Sequence, residues 1–365
     1  MNILHIYKDY FPVVGGIENY VRALAEGHVR AGHRVTVLAC NPGRSTRVEE
    51  LNGVRVIKAG RLATAASMPI SLQQPVALAR LHPDIIHVHS PYPLGEVSAW
   101  LLGRGVPLII THHSDVVRQR GWLWFYGPLL RQVLRKAASI IATSPRYIET
   151  SPWLRPLRDK CIVIPLGVDT RRFVPPARPF DGPPTLLFTG KLRYYKGLDT
   201  LLRALEELPG VHLNVVGEGP MLRPWQALAG ELGVADRVHF LGQVSDADLP
   251  GCYHRAHLFV LPANARAEAF GTVLLEAMAS GLPCVTTEVG SGTSWVVQDG
   301  VVGRVVPAGD PAALGEAISK LLADPSLRSR MAVAARQRAV DEFDLSLMVE
   351  RVLALYGQKV TWKAD

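Results

Sequence analysis

Cysteine is scarce: the 365 residues hold four, Cys40, Cys161, Cys252 and Cys284, none in Cys-x-x-Cys spacing and each in or beside an apolar stretch. That scatter argues against a disulfide framework and a thiolate zinc site and leaves buried, reduced thiols as the expectation. Also missing is any uninterrupted apolar run long enough to span a bilayer, and the opening stretch Met1–Pro12 lacks the basic-then-apolar layout of a signal peptide. The expected place is therefore the cytoplasm, with a peripheral station at the inner face of the cell membrane left open. No low-complexity tract appears, and 48% hydrophobic against 20% charged residues is the composition of a folded chain. No nucleic-acid motif accompanies the net charge of +8, which suits anionic partners such as nucleotide phosphates or an acidic lipid surface without choosing between them.

What the sequence does hold is alternation. Short apolar runs trade places with stretches of helical period from end to end, the pattern of parallel sheets with crossover helices. Strands are expected at 3–7, 34–38, 54–58, 84–88, 107–111, 139–142 and 162–165, and again at 185–189, 212–216, 238–241, 258–261, 284–286 and 303–306. After Gly16, the residues Ile17, Tyr20, Val21, Leu24 and His28 fall on one helical face. Six prolines in 165–184 interrupt any regular element, so two domains are expected, 1–180 and 181–343, with 344–365 as a last helix that could cross back to the first.

The sharpest constellation is Glu268-Ala-Phe270-Gly271-Thr272-Val-Leu-Leu-Glu276. A strand ends before it and a helix begins near Gly271, which places Glu268 at the end of a loop and Glu276 about a turn inside the helix. Backbone N–H groups around Phe270, Gly271 and Thr272 would be free at the positive end of that helix and suit a diphosphate. Glu276 can accept hydrogen bonds from ribose hydroxyls, as the acidic residue of dinucleotide folds does. With this Glu-x7-Glu pattern the chain resembles glycosyltransferase family 4, from the N-terminus to about Asp344. The resemblance implies an α/β chain of GT-B fold: two Rossmann-like, doubly wound parallel-sheet domains facing across a cleft.

Other motifs occur in the family's order. Gly15-Gly16 opens a helix after the first strand and resembles the family's donor loop; paired glycines let a backbone approach a ligand closely. His87 and His89 share one strand face and are expected to bond locally at the strand end, while in Thr111-His112-His113 alternation lets one histidine face the cleft. The resemblance favours His113, near the donor sugar, and leaves His112 to pack. Gly190-Lys191-Leu-Arg193-Tyr-Tyr-Lys196 is a basic loop, and fixed cations would stabilise a departing diphosphate. Lys196 matches the family lysine. Where the family usually has Gly-Arg this chain reads Gly190-Lys191, so either Lys191 serves less specifically or Arg193 has taken over the role. Gly217-Glu218-Gly219-Pro220 resembles the turn near the nucleotide base, and Gly290, Gly292, Gly300 and Gly303 a late turn that shapes the donor site. Neither glycine loop has Gly-x-Gly-x-x-Gly spacing, and no carboxylate ends the second strand, which argues against a dehydrogenase.

The expected activity is transfer of a hexose from a UDP- or GDP-linked donor to a hydroxyl of a saccharide or lipid-linked acceptor, in polysaccharide or glycolipid synthesis. The resemblance implies retention of configuration, and no metal or other cofactor is expected. The alternatives are a UDP-sugar 2-epimerase on the same fold and a non-catalytic sugar-nucleotide binder. The Arg-, Lys- and aromatic-rich stretch 117–136 fits either an anionic membrane surface or a core-packed helix with a solvated face.

Overall fold

The computed structural model describes residues 1–13, 15–65, 68–103, 105–115 and 123–360, without the side chains of 123 and 125. The chain divides into two compact units: Met1–Leu166 with Ser346–Asp365, and Gly167–Leu345. Each is Rossmann-like, with helices following the strands of a mainly parallel sheet.

In the first unit the strands are β1 Asn2–Ile6, β2 Arg34–Cys40, β3 Arg47–Leu51, β4 Val54–Ala59, β5 Ala63–Ala65, β6 Met68–Ile70, β7 Ile85–Ser90, β8 Leu108–His112, β9 Ser139–Ala142 and β10 Cys161–Val163. Eight form one sheet in the order β10, β9, β8, β7, β1, β2, β4, β3, where only the edge strand β3 runs antiparallel, to β4. The central strands β1, β7 and β8 are buried on both faces, as parallel strands covered by helices are, and each carries histidine as well as aliphatic residues. The β3–β4 hairpin was not expected, because Arg47–Leu51 is mostly exposed and reads as loop. Its signal was the Asn52-Gly53 pair, both at positive φ, the residues a two-residue hairpin turn favours.

The second unit carries β11 Thr185–Thr189, β12 His212–Val216, β13 Val238–Gly242, β14 Leu258–Leu261, β15 Cys284–Glu288 and β16 Gly303–Pro307. All are parallel, in the order β13, β12, β11, β14, β15, β16. Their carboxyl ends therefore share one edge of the sheet.

The crossover between units falls at Leu166/Gly167, upstream of the boundary near 180 that the prolines mark. The proline segment is a strap bound to the second unit. Val168 N–H donates to Phe343 O at 2.8 Å, Leu345 N–H returns to Val168 O at 2.9 Å, and the Arg336 guanidinium donates to the carbonyls of Thr170 and Phe173. The last helix, Leu345–Lys359, returns the chain to the first unit, where Val349 packs on Gly27 and Tyr356 is fully buried.

Candidate active site

In an open parallel sheet ligands collect at the carboxyl ends of the strands, where the strand order reverses. In the second unit that point lies at β11 and β14. The loop after β11 runs from Gly190 to a 3-10 turn, Tyr194–Lys196, and the loop after β14 fills 262–271. Asn264 ties them: its N–H donates to Tyr195 O at 3.0 Å and its side-chain amide to Tyr194 O at 3.2 Å. Across this join Lys196 Nζ meets Glu268 Oε2 at 2.6 Å, each residue only 8% exposed. Lys191 and Arg193, by contrast, hold exposed side chains on the same loop. Of the three cations the sequence nominated, Lys196 alone is built into the protein.

The glycines here answer to the backbone. Gly217 has φ 125°, and a Cβ on it would stand 2.1 Å from Gly190 O, so the turn after β12 must be glycine for the two loops to cross. Glu218, beside it, is exposed. At Gly190 a Cβ would come within 3.3 Å of Lys196 Nζ, so glycine leaves room for the ammonium.

Helix Thr272–Ala279 starts from Gly271 in the left-handed region (φ 80°), with no side-chain cap and no acidic residue in its first turn. The N–H groups of Thr272 and Val273 thus keep their hydrogen-bonding capacity, that of Leu274 being bonded to Gly271 O at 2.9 Å, and the helix keeps its positive end. Phe270, expected among the donor-binding residues, turns its ring into the core against Trp295 and Phe343; its backbone is what lies at the helix start. Glu276, half-buried in this helix, accepts from the Tyr253 hydroxyl at 2.7 Å. Burial pushes its carboxyl above the usual range, against the Tyr253 bond and the nearby Arg172 charge.

The late glycine turn needs correcting. Gly303 pairs with Cys284 at the amino-terminal end of the strands, opposite to the edge that carries Lys196, and a Cβ there would strike Cys284 O at 1.9 Å. Gly300 N–H donates to Gly303 O in the same turn. These two glycines serve strand pairing. Gly292 stays at the carboxyl edge, its N–H bonded to Ala269 O at 2.8 Å.

In the first unit the carboxyl edge carries Gly15, Gly16 and His113. Gly16 begins helix Gly16–Arg30, and a Cβ there would meet nothing within 4 Å. Gly15 is extended, and the Glu18 carboxylate folds back to within 2.2 Å of where its Cβ would be. This helix start therefore already has an anion at its positive end, unlike the one at Thr272.

His113, 5% exposed, packs edge-on to Tyr20 and ends a chain of buried imidazoles. His113 Nε2 meets His89 Nδ1 at 3.3 Å, His89 Nε2 meets His5 Nδ1 at 3.1 Å, and His5 Nε2 meets His28 Nδ1 at 3.3 Å. His87 lies between the Tyr356 hydroxyl at 2.5 Å and Thr111 Oγ1 at 2.6 Å. Burial pushes His5, His28, His87 and His89 well below the ordinary histidine range and His113 down to about 3, so all are neutral. Four neutral rings joined by three bonds must carry their protons on the same nitrogen, all Nδ1 or all Nε2, for each bond to have one donor. His5, His87 and His89 offer nitrogens within 4.8 Å of one another, a spacing a metal could use, yet hydrogen bonds engage every one of these nitrogens. His112 points to the other face, bonded to Asp115 at 3.0 Å.

The second-unit edge thus gathers Lys196, Glu268, Gly190, Gly217, Gly271, Thr272 and Glu276, while Gly15, Gly16 and His113 gather on the first-unit edge. His5, His28, Thr189 and Tyr253 were missed. His5 had a legible signal, since alternation on a first strand paired with the His-Val-His strand puts it on the shared face. Tyr253 had none.

Residues 14–172 match the family model described as Glycosyltransferase Family 4, and residues 170–338 that described as Glycosyl transferases group 1. The chain is 36% identical to D-rhamnosyltransferase WbpZ of Pseudomonas aeruginosa, over 93% of this chain and 91% of that protein. It is 34% identical to O-antigen chain mannosyltransferase C of Escherichia coli, over 98% of each. Among solved structures, sucrose-phosphate synthase from Thermosynechococcus elongatus superposes with a TM-score of 0.82 at 25% identity, covering 98% of both chains. Anabaena HepE in complex with UDP-glucose gives 0.78 at 19% identity over 98% of this chain and 100% of that one, a likeness of fold alone.

The histidine layer makes stability depend on pH. Its folded pKa values lie below the unfolded value of about 6.5, so its contribution is complete above that pH and is lost as pH falls through it toward the folded values. Glu96 and Glu276, raised by burial, act in the opposite sense: their contribution is present below the ordinary carboxyl range and fades as pH rises through it toward their raised folded values, so they offset part of the histidine effect. Urea unfolding should give a stability maximum between pH 7 and 8 and a loss of several kcal/mol between pH 6.5 and 5; a flat profile down to pH 5 would show that the layer titrates as exposed histidines do.

Proposed function

The chain belongs to glycosyltransferase family 4 and has the GT-B fold, and from that premise we propose that it is a retaining, metal-independent hexosyltransferase using a UDP- or GDP-linked sugar. The observation that carries the reading is the buried Lys196–Glu268 pair at the strand-order reversal of the second sheet, three residues from an uncapped helix start. Such a place suits a diphosphate next to a hexose. The helix N–H groups and the Lys196 ammonium bind phosphate oxygens, Glu268 accepts from sugar hydroxyls, and Glu276 accepts from the ribose. Relatives that carry rhamnosyl and mannosyl transfer in their names favour a deoxyhexose or hexose donor and a saccharide or lipid-linked acceptor.

In the reaction the acceptor oxygen bonds to the anomeric carbon on the face from which the diphosphate leaves. The bond from that carbon to the phosphate oxygen breaks, the nucleoside diphosphate departs with the electron pair, and its oxygen takes the acceptor's proton. Negative charge grows on the phosphate as this happens, so a fixed ammonium stabilises the transition state more than the bound donor. With the diphosphate neutralised by protein groups, no metal is required.

A second contact is proposed for helix Leu123–Lys136 of the first unit; residues 117–122 of the basic-aromatic stretch lie outside the described residues. Its inner face buries Leu130, Val133 and Leu134, while Trp124, 78% exposed, shares the outer face with Arg131 and Arg135. No described helix is long and apolar enough to cross a membrane, and an aromatic and basic face of this kind suits docking on an anionic lipid surface.

Three outcomes are expected. Proton NMR of the transfer product from an α-linked donor should show an α linkage, formed equally fast in EDTA; a β product or loss of activity in chelator would contradict the reading. Lys196→Ala should lower kcat about a hundredfold or more while the donor Kd moves only a few-fold, and turnover near wild type would remove Lys196 from the mechanism. The protein should co-sediment with phosphatidylglycerol vesicles but not with phosphatidylcholine ones, and Trp124→Glu should abolish this; equal recovery with both lipids would count against the docking face.

A further inference from the structure

Tyr253 is a fully buried residue of helix Leu249–His254 with no place in the reaction just described. Its ring is fixed by an edge contact to Phe173 (5.6 Å, 88°) and a tilted contact to Phe259 (5.8 Å, 35°). Its hydroxyl lies 2.7 Å from Glu276 Oε2 and 3.0 Å from Thr189 Oγ1. A phenol has one proton, and a carboxylate can only accept, so Tyr253 donates to Glu276 and Thr189 donates to Tyr253. The relay is directed from the last residue of β11 toward the carboxylate.

The consequence for Glu276 is geometric. Its carboxylate hangs from three rotatable bonds, and a half-buried glutamate would otherwise spread over several rotamers. With Oε2 taken by a hydroxyl whose own ring cannot move, the plane of the carboxylate is set, and Oε1 has no hydrogen-bond partner among the described residues. A charged acceptor held in one orientation, one oxygen committed and one open, is what recognition of a vicinal diol needs.

We propose that Tyr253 is a positioning residue for the nucleotide: its hydroxyl fixes Oε2 of Glu276 so that Oε1 is presented to the ribose diol of the donor. This rests on the reading that Glu276 takes the ribose. The bond also favours the charged carboxylate that burial opposes, so removing the hydroxyl makes Glu276 protonate at higher pH.

The test is calorimetric binding of UDP and GDP, and of their 2′,3′-dideoxy analogues, to the wild type, Tyr253→Phe, Glu276→Gln and the double variant. Tyr253→Phe should weaken binding of whichever ribonucleotide the protein takes by about five- to tenfold, shift its loss on acidification to higher pH, and leave the dideoxy analogue unaffected. In the Glu276→Gln background the same change should alter affinity less than twofold. Equal weakening of ribo and dideoxy ligands, or equal weakening in both backgrounds, would make Tyr253 a packing residue and overturn the proposal. A Tyr253→Phe protein that binds as wild type while Glu276→Gln loses the ribonucleotide would overturn the positioning role alone. If Glu276→Gln binds every ligand as wild type, the ribose reading beneath it falls as well.

Discussion

Lys196 and Glu268 are held 2.6 Å apart with nearly all of both residues out of water, and the second unit is arranged around keeping them so. Withdrawing two such charges from solvent costs several kcal/mol each, and their attraction offsets this only when the geometry is good. An apolar pair would serve stability as well, so stability alone gives the fold no reason to keep them. On the proposed function, the ion pair supplies a charge-balanced site that changes partners when a ligand arrives. The ammonium can turn to phosphate oxygens while the carboxylate turns to sugar hydroxyls, and neither is left uncompensated.

That demand explains local choices which otherwise look arbitrary. The loop after β11 must bend under the turn after β12, which forces glycine at 217, and must leave space for an ammonium, which suits glycine at 190. Asn264 fastens the loop that carries Glu268 to the backbone of the loop that carries Lys196. The first unit solves the reverse problem. Its buried histidines lie among one another with no counter-charge in their bonds, so they stay neutral, and their shared tautomer makes His113 part of a layer reaching His28.

Much of this was legible in the sequence because the fold repeats a simple rule. The strands of the second unit could be placed from their apolar runs, most plainly β11 and β14, which are buried along their whole length and carry no polar alternation to blur them. Glu268, Glu276 and Lys196 were named because the Glu-x7-Glu spacing and the lysine of the basic loop resemble family motifs in the family's order. The edge strand Arg47–Leu51 escaped because its side chains face solvent and its signature lay in the turn that follows. The boundary was set too late because prolines mark where regular structure stops, not which body a segment binds. Gly303 was assigned to the wrong edge because a glycine pattern does not reveal at which end of a strand it lies. Tyr253 was invisible because a tyrosine in a short helix looks like core until its hydroxyl is seen to reach a carboxylate from another element.

The central claim is that the diphosphate of an activated sugar lies against Lys196 at the carboxyl edge of the second sheet. A crystal structure with a nucleoside-diphosphate hexose bound tests it most directly. The account predicts a phosphate oxygen within hydrogen-bond reach of Lys196 Nζ and of the backbone N–H groups at Thr272, with Glu268 turned to a sugar hydroxyl. A diphosphate bound elsewhere, with Lys196 and Glu268 still joined to each other, would contradict it.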